Sequence, residues 1–226
     1  MPFDIPAQLL YEDNHLIILN KKPGQLVQPD PAGDEALETE LKSYLKHKYH
    51  KPGEAFVGVV HRLDRPVSGV VVFAKTSKAL VRLNEMLKAH TMNKTYWAIV
   101  KQRPPQDEAL LSQYIVRDSR QNKSFVHDSP VKDSLAAELS YKVIASSENY
   151  FLLEVNLITG RHHQIRAQLS AMGCPIKGDL KYGYPRSNKD GSICLHARKA
   201  EFIHPVSKEK ISITAPVPDS DIWKFF

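Results

Sequence analysis

The stretch "GVVHRLDRPVSGVVVFAKT", residues 58–76, sets two apolar, strand-like runs around a polar turn. The first run leads straight into His61, Arg62, Asp64 and Arg65. Pro66, Val67, Ser68 and Gly69 make the turn, and a second apolar run follows. A lone carboxylate wedged between strands costs several kcal/mol to bury unless it is paired. Asp64 is therefore expected either to cap the turn or to face a specific cation. Within the stretch the candidates are Arg62 and Arg65; further along, "GRHHQIR" supplies Arg161 and Arg166. A carboxylate held charged by an arginine, near a strand aromatic, suits a base or nucleophile, and equally a structural ion pair.

Working outward, "HLIILNKKPG" reads as a short strand stopped by Pro23-Gly24. "DEALETELKSYLKHKYH" has Leu37, Leu41, Tyr44 and Leu45 at helical spacing. "TSKALVRLNEMLKAH" starts on a Thr76 or Ser77 cap and puts Leu80, Leu83 and Leu87 on one face. "KTYWAIVK" alternates as a strand should. Residues 117–130 are polar and read as a loop. "AELSYKVIAS" and "YFLLEVNLI" flank a Ser-Glu-Asn turn. "TGRHHQIRAQLSAMGCP" is expected to be a helix capped by Thr159, with Ile165, Leu169 and Met172 as its apolar stripe and Gly173 and Pro175 as its stop. "ICLHARKAEFIH" and "EKISITAP" are late strands. Strands outnumber helices and no regular βαβ alternation occurs. The expected class is α+β: a mixed, mainly antiparallel central sheet with flanking helices.

The chain has 226 residues, enough for one large domain or two small ones. Its 42% hydrophobic and 25% charged content is that of an ordinary globule, which excludes a disordered or fibrous chain. A net charge of +6 hints at a polyanionic partner and equally suits a solvated surface. Two cysteines without a CxxC signal neither a zinc knuckle nor a disulfide framework, and are expected to be reduced core thiols. The first residues lack the basic and apolar regions of a signal peptide, and no apolar run reaches a membrane span, so a cytoplasmic protein is expected. "HRLD" is not the kinase order HRD, and neither phosphate-loop nor dinucleotide fingerprints occur. His162 and His163 are adjacent, would point about 100° apart in a helix, and lack HExxH, so no metal site is expected.

"HRLDRPVSGVVVFAK" resembles the catalytic-aspartate motif of the RluA-like family of RNA pseudouridine synthases. "KTYWAIV" is similar to that family's K-x-Y-x-A-x-V strand. "LITGRHHQIRAQLSAMGCPIKGDLKYG" resembles its TGRTHQIR helix followed by GxPIxGDxxYG, and "CLHARKAEFIHP" its late strand. The four blocks come in the family's order and extend the likeness over residues 11–215. Val67 and His162 depart from it, at positions where the family often has Thr.

The resemblance implies the pseudouridine synthase catalytic fold and an isomerase acting on uridine in ribosomal or transfer RNA. It gives Asp64 as nucleophile or base, Tyr96 as platform for the flipped base, and Arg166 as the arginine paired with Asp64 within ~4 Å. It places Arg62, Leu195, Arg161 and His61 on the substrate, with Arg62 filling the gap left by the flipped base and Leu195 packing near the uracil. It needs no ATP, metal or nicotinamide cofactor. It further implies a monomer with RNA as partner, and one catalytic domain over residues 1–226 without the small N-terminal RNA-binding domain that many relatives carry. Two other readings stand beside it: an RNA-binding protein of the same fold without catalysis, and a hydrolase with an aspartate nucleophile.

Overall fold

In a computed structural model, residues 3–30, 33–220 and 222–226 of the chain are described. The chain divides into two units: Met1–Met92 with Ala197–Val217, and Asn93–His196 with Pro218–Phe226. The class is the expected one, mainly antiparallel sheet with a few helices.

The first unit contains α1 (Ile5–Gln8), β1 (Leu9–Glu12), β2 (Leu16–Lys21), α2 (Leu37–Lys48), β3 (Gly58–Val59), β4 (Ser68–Ala74) and α3 (Ser77–Lys88). β10 (Leu195–Ile203) enters it at Ala197, and β11 (Lys210–Thr214) follows. β2 pairs with β1 and with β4, β3 with β4, and β11 with β10, all antiparallel. All seven residues of β4 are buried, so both of its faces are covered. Leu16, Ile18, Val70, Val72 and Ala74 pack with Ala79 and Leu83 of α3 in one apolar cluster. Burying each such aliphatic side chain contributes about 1.5–3 kcal/mol. The Thr76 hydroxyl accepts from the Ala79 N–H at 3.2 Å and caps α3, as its position before the apolar period implied.

β4 contradicts one detail of the sequence reading. The turn is shorter than Pro66–Gly69: the Val67 N–H donates to the Asp64 carbonyl at 3.0 Å, and Ser68 already belongs to the strand. Gly69 follows with φ of +113°, and a Cβ there would lie 2.5 Å from the Ala197 nitrogen. Only glycine admits that backbone approach.

The second unit contains β5 (Asn93–Val100), β6 (Glu108–Asp118), β7 (Lys123–His127), β8 (Leu135–Ser146), β9 (Phe151–Leu157) and α4 (Gln164–Ala171). Its strand order is β5–β9–β8–β6–β7, each pair antiparallel. Residues 117–130, expected as a loop, hold the end of β6, a four-residue turn and the whole of β7. The Asp118 carboxylate accepts from the Arg120 and Gln121 N–H groups at 2.8 and 3.1 Å, and Asn122 takes φ of +47°. That closes a hairpin in which Tyr114–Asp118 pairs with Lys123–His127. β7 buries the polar Ser124 and exposes Phe125, so it lacks the apolar-in, polar-out alternation that would have announced a strand.

Cys174 and Cys194 are free and buried, and burial pushes both thiols up, as befits inert core residues. Among the described residues no helix is long and apolar enough to cross a membrane.

Candidate active site

In the first unit, β3 is only two residues long because a side chain takes over from its backbone. The Val72 N–H of β4 donates to the His61 Nε2 at 3.2 Å, one position beyond the Val59–Phe73 pair. His61 thus satisfies a sheet donor, with Nε2 unprotonated and acting as acceptor. The chain then leaves the sheet. Leu63 turns inward and is buried, Arg62 is exposed, and Asp64 is half-exposed at the head of the turn. Among the described residues Arg62 has no hydrogen-bond or ion-pair partner, which leaves its guanidinium available to a ligand. Arg65 is held away on the other side: Nη1 meets the Asp34 carboxylate at 2.8 Å and Nε donates to the Gly24 carbonyl at 3.1 Å. The Gly24 N–H in turn donates to the Arg65 carbonyl at 2.8 Å.

Beneath this turn lies a residue to which the sequence analysis gave no role. Lys21 ends β2, is 0% exposed, and donates from Nζ to the carbonyls of Lys22 (3.1 Å), Arg65 (3.1 Å) and Val67 (2.6 Å). One ammonium therefore ties β2 to the turn directly after Asp64. Burial pushes its pKa down to about 7; the Asp64 charge works upward against that and Arg65 works downward. The sequence signal was a lysine closing a buried run just before Pro-Gly.

Lys21→Met leaves three inward carbonyls without their donor and is expected to cost about 2–3 kcal/mol of stability. An unfolded lysine keeps its proton to 10.5, the folded one loses it near 7, so unfolding takes up a proton between those values. The stability advantage of the wild type over Lys21→Met should therefore grow as pH rises from 7 towards 10. Urea melts of both proteins across that window check this, and an advantage that shrinks with pH would refute it.

In the second unit, Tyr96 sits mid-strand on β5 opposite Val155 and is 6% exposed. Leu195, the first residue of β10, is buried. Thr159 does not cap α4. Its hydroxyl donates to Gln164 Oε1 at 2.8 Å and accepts from the Glu138 N–H at 2.8 Å. Gln164 Oε1 also takes the Arg161 N–H at 2.9 Å, closing the 159–161 turn. The cap position is His163, in the left-handed region at φ of +52°. His162 and His163 precede the helix, and their rings stack at 3.8 Å instead of diverging. Among the described residues no group of three or more His, Cys, Asp or Glu side chains is placed to hold a metal ion. Arg161 Nε donates to the Ala136 carbonyl at 2.8 Å.

Arg166, expected half-buried, is 5% exposed and gripped by Asp179, which is 1% exposed. Nε meets Oδ2 at 2.7 Å and Nη2 meets Oδ1 at 2.9 Å, a two-pronged pair. The Tyr182 ring lies under the guanidinium at 5.0 Å. The Tyr182 hydroxyl accepts from the Ser124 N–H at 2.8 Å and stands 3.0 Å from His163 Nδ1. Burial pushes that phenol up, so it stays neutral. The segment carrying Asp179 is fastened to β5: the Lys177 N–H donates to the Ile99 carbonyl at 2.9 Å, and Val100 bridges Ile176. Gly178 has φ of +88°, and a Cβ there would come within 2.8 Å of Asn188 and Ser192. Asp179 and Tyr182 were missed as supports of Arg166, although both stand in the "GDLKYG" block.

The first unit offers one half-exposed carboxylate on a rigidly anchored turn and, among the described residues, an unpartnered exposed arginine two residues before it; the second unit holds a buried, oriented guanidinium. An RNA pseudouridylate synthase family model matches residues 15–171, a span that includes Asp64, Tyr96 and Arg166. The chain is 38% identical over 224 residues to an uncharacterized RNA pseudouridine synthase of Synechocystis sp., covering 95% of this chain and 67% of that protein. It is 33% identical over 232 residues to ribosomal large subunit pseudouridine synthase D of Zymomonas mobilis, covering 96% of this chain and 71% of that one. Among solved structures, human RNA pseudouridylate synthase domain containing 4 superposes with a TM-score of 0.81 at 23% identity, over 95% of this chain and 90% of that one, and shares the fold.

Proposed function

As the chain belongs to the RluA-like family of RNA pseudouridine synthases, enzymes that isomerise uridine in RNA, we propose that Asp64 carries that reaction here. The N1–C1′ bond breaks, the uracil turns in place, and C5 bonds to C1′; the C5 proton leaves and N1 gains one. Atoms and electrons balance without an outside reagent. One carboxylate acting at the sugar, as nucleophile or base, serves both halves. The supporting observation is the anchoring of the Asp64 turn by Lys21, Arg65 and His61, inside the matched span. A rigid carboxylate is what a preorganised attack requires.

The remaining roles follow from chemistry. Flipping the target base out of its stack costs a few kcal/mol. A stacking aromatic such as Tyr96 returns about 1–3 kcal/mol. Arg62, exposed and unpartnered, takes the space the base leaves. Leu195 packs near the uracil, and Arg166 brings an oriented cation to the reaction. His61 and Arg161 serve by shaping the turns that face the RNA. The substrate is a structured cytoplasmic RNA, ribosomal or transfer, bound by a monomer; large-subunit ribosomal RNA comes first, because several relatives carry it in their names.

The test uses ribosomal and transfer RNA transcripts containing uridine tritiated at C5. The protein is expected to release tritium from one of them, and to do so undiminished in EDTA and without added nucleotide. Release of free uracil would support the hydrolase instead. RNA binding with no tritium release from either class would leave only the binding protein.

A further inference from the structure

Lys94 stands two residues before Tyr96 on β5, so both side chains leave the same face of the strand, about 6.6 Å apart along it. Its ammonium lies against the 159–161 turn: a Cβ on Gly160 would stand 3.7 Å from Lys94 Nζ. The lysine is half-buried, and burial alone pushes its pKa down. Among the described residues it has no hydrogen-bond or ion-pair partner. The other buried lysines are provided for: Lys21 has three carbonyls, and Lys75 meets the Glu12 carboxylate at 2.7 Å. A desolvated ammonium without an acceptor works against the fold, and such a group marks a place where a ligand brings the missing charge. Gly160 is exposed and carries no side chain, so an anion can reach Nζ past bare backbone. Arg161 follows directly, is part-exposed, and donates from Nε to the Ala136 carbonyl.

We infer that Lys94, beside the bare Gly160 backbone, and Arg161, the next residue along it, bind a phosphodiester of the RNA next to the nucleotide stacked on Tyr96. The inference rests on the proposed function for the RNA and for Tyr96. The phosphate completes the ammonium's missing interaction, and its strand spacing from Tyr96 sets how the nucleotide is held. Phosphate contacts of this kind position a nucleic acid without reading its sequence.

The experiment compares the full chain with Lys94→Met and Lys94→Arg in binding a fluorescently labelled RNA stem-loop with uridine in its loop, between about 50 and 200 mM salt, the range where such contacts are felt. Lys94→Met is expected to bind on the order of tenfold more weakly at the low end. Its plot of log affinity against log salt should be shallower by about one. Lys94→Arg should keep the wild-type slope, since it keeps the charge. The free Lys94→Met protein should melt no lower than wild type, because no partner is lost. Unchanged affinity and slope in a folded Lys94→Met protein would overturn the site, and a lower melting temperature with unchanged slope would make Lys94 structural. Should the wild type release no tritium from RNA while Lys94→Met still flattens the slope, the catalytic reading falls and the phosphate site stands.

Discussion

Asp64→Asn is expected to fold like the wild type and to form no pseudouridine, a loss of about 10³-fold or more in single-turnover rate. The carboxamide is nearly isosteric with the carboxylate and lacks its charge and basicity. Contacts other than those of the carboxylate hold the turn: the Val67 N–H donates to the Asp64 carbonyl, Lys21 Nζ to the carbonyls of Arg65 and Val67, the Gly24 N–H to the Arg65 carbonyl, and Arg65 Nε to the Gly24 carbonyl. One electrostatic consequence does follow. The Asp64 charge is what works upward on Lys21, so its removal lets burial push the Lys21 pKa below about 7. Circular dichroism and tritium release on the same preparation check the prediction. Turnover within tenfold of wild type by clean Asp64→Asn protein would remove Asp64 from the chemistry.

Arg166→Met is expected to cost about 3–5 kcal/mol of stability, the largest structural effect of any single change at the site. The loss comes from Asp179. With the guanidinium gone, a carboxylate that is 1% exposed loses both bonds of its two-pronged pair and stays buried without that cation. The Tyr182 ring loses one of its two cations as well and keeps Lys123 at 5.3 Å. Arg166→Lys should restore part of this, since an ammonium brings charge but cannot make two parallel bonds. The double variant Arg166→Met/Asp179→Leu separates architecture from chemistry. Replacing a buried pair by apolar groups of similar volume is often neutral or stabilising, so the double variant should recover most of the lost stability. Its pseudouridine formation should stay as low as that of Arg166→Met, because the proposed role of the guanidinium is to act on the reaction. Activity recovered together with stability, by thermal melting and tritium release, would reduce Arg166 to a structural residue.

Much of this could be read locally. The apolar periods around Leu37, Leu41 and Leu45, and around Leu83, are buried helix faces. Thr76 caps the helix that its position announced, because a side-chain cap needs only the next three residues. The alternation in "KTYWAIV" is a strand, and the order of four motif blocks identified the family. These signals survive in one dimension because each depends on neighbours within a turn or two of chain.

What the tertiary structure alone decided depends on partners distant in sequence. Residues 117–130 look like loop because they are mostly polar and their strand buries Ser124 while exposing Phe125; only pairing with Tyr114–Asp118 makes Lys123–His127 a strand. Thr159 has the residue type of a cap but is diverted by Glu138, 21 positions away, and by Gln164. Lys21 reads as surface charge until the carbonyls of Arg65 and Val67, 44 and 46 positions on, close over it. Arg166 reads as half-buried until Asp179 makes its full burial tolerable. A charge can be taken out of water only where a partner of the right geometry waits, and where that partner waits is set by the packing of the whole chain.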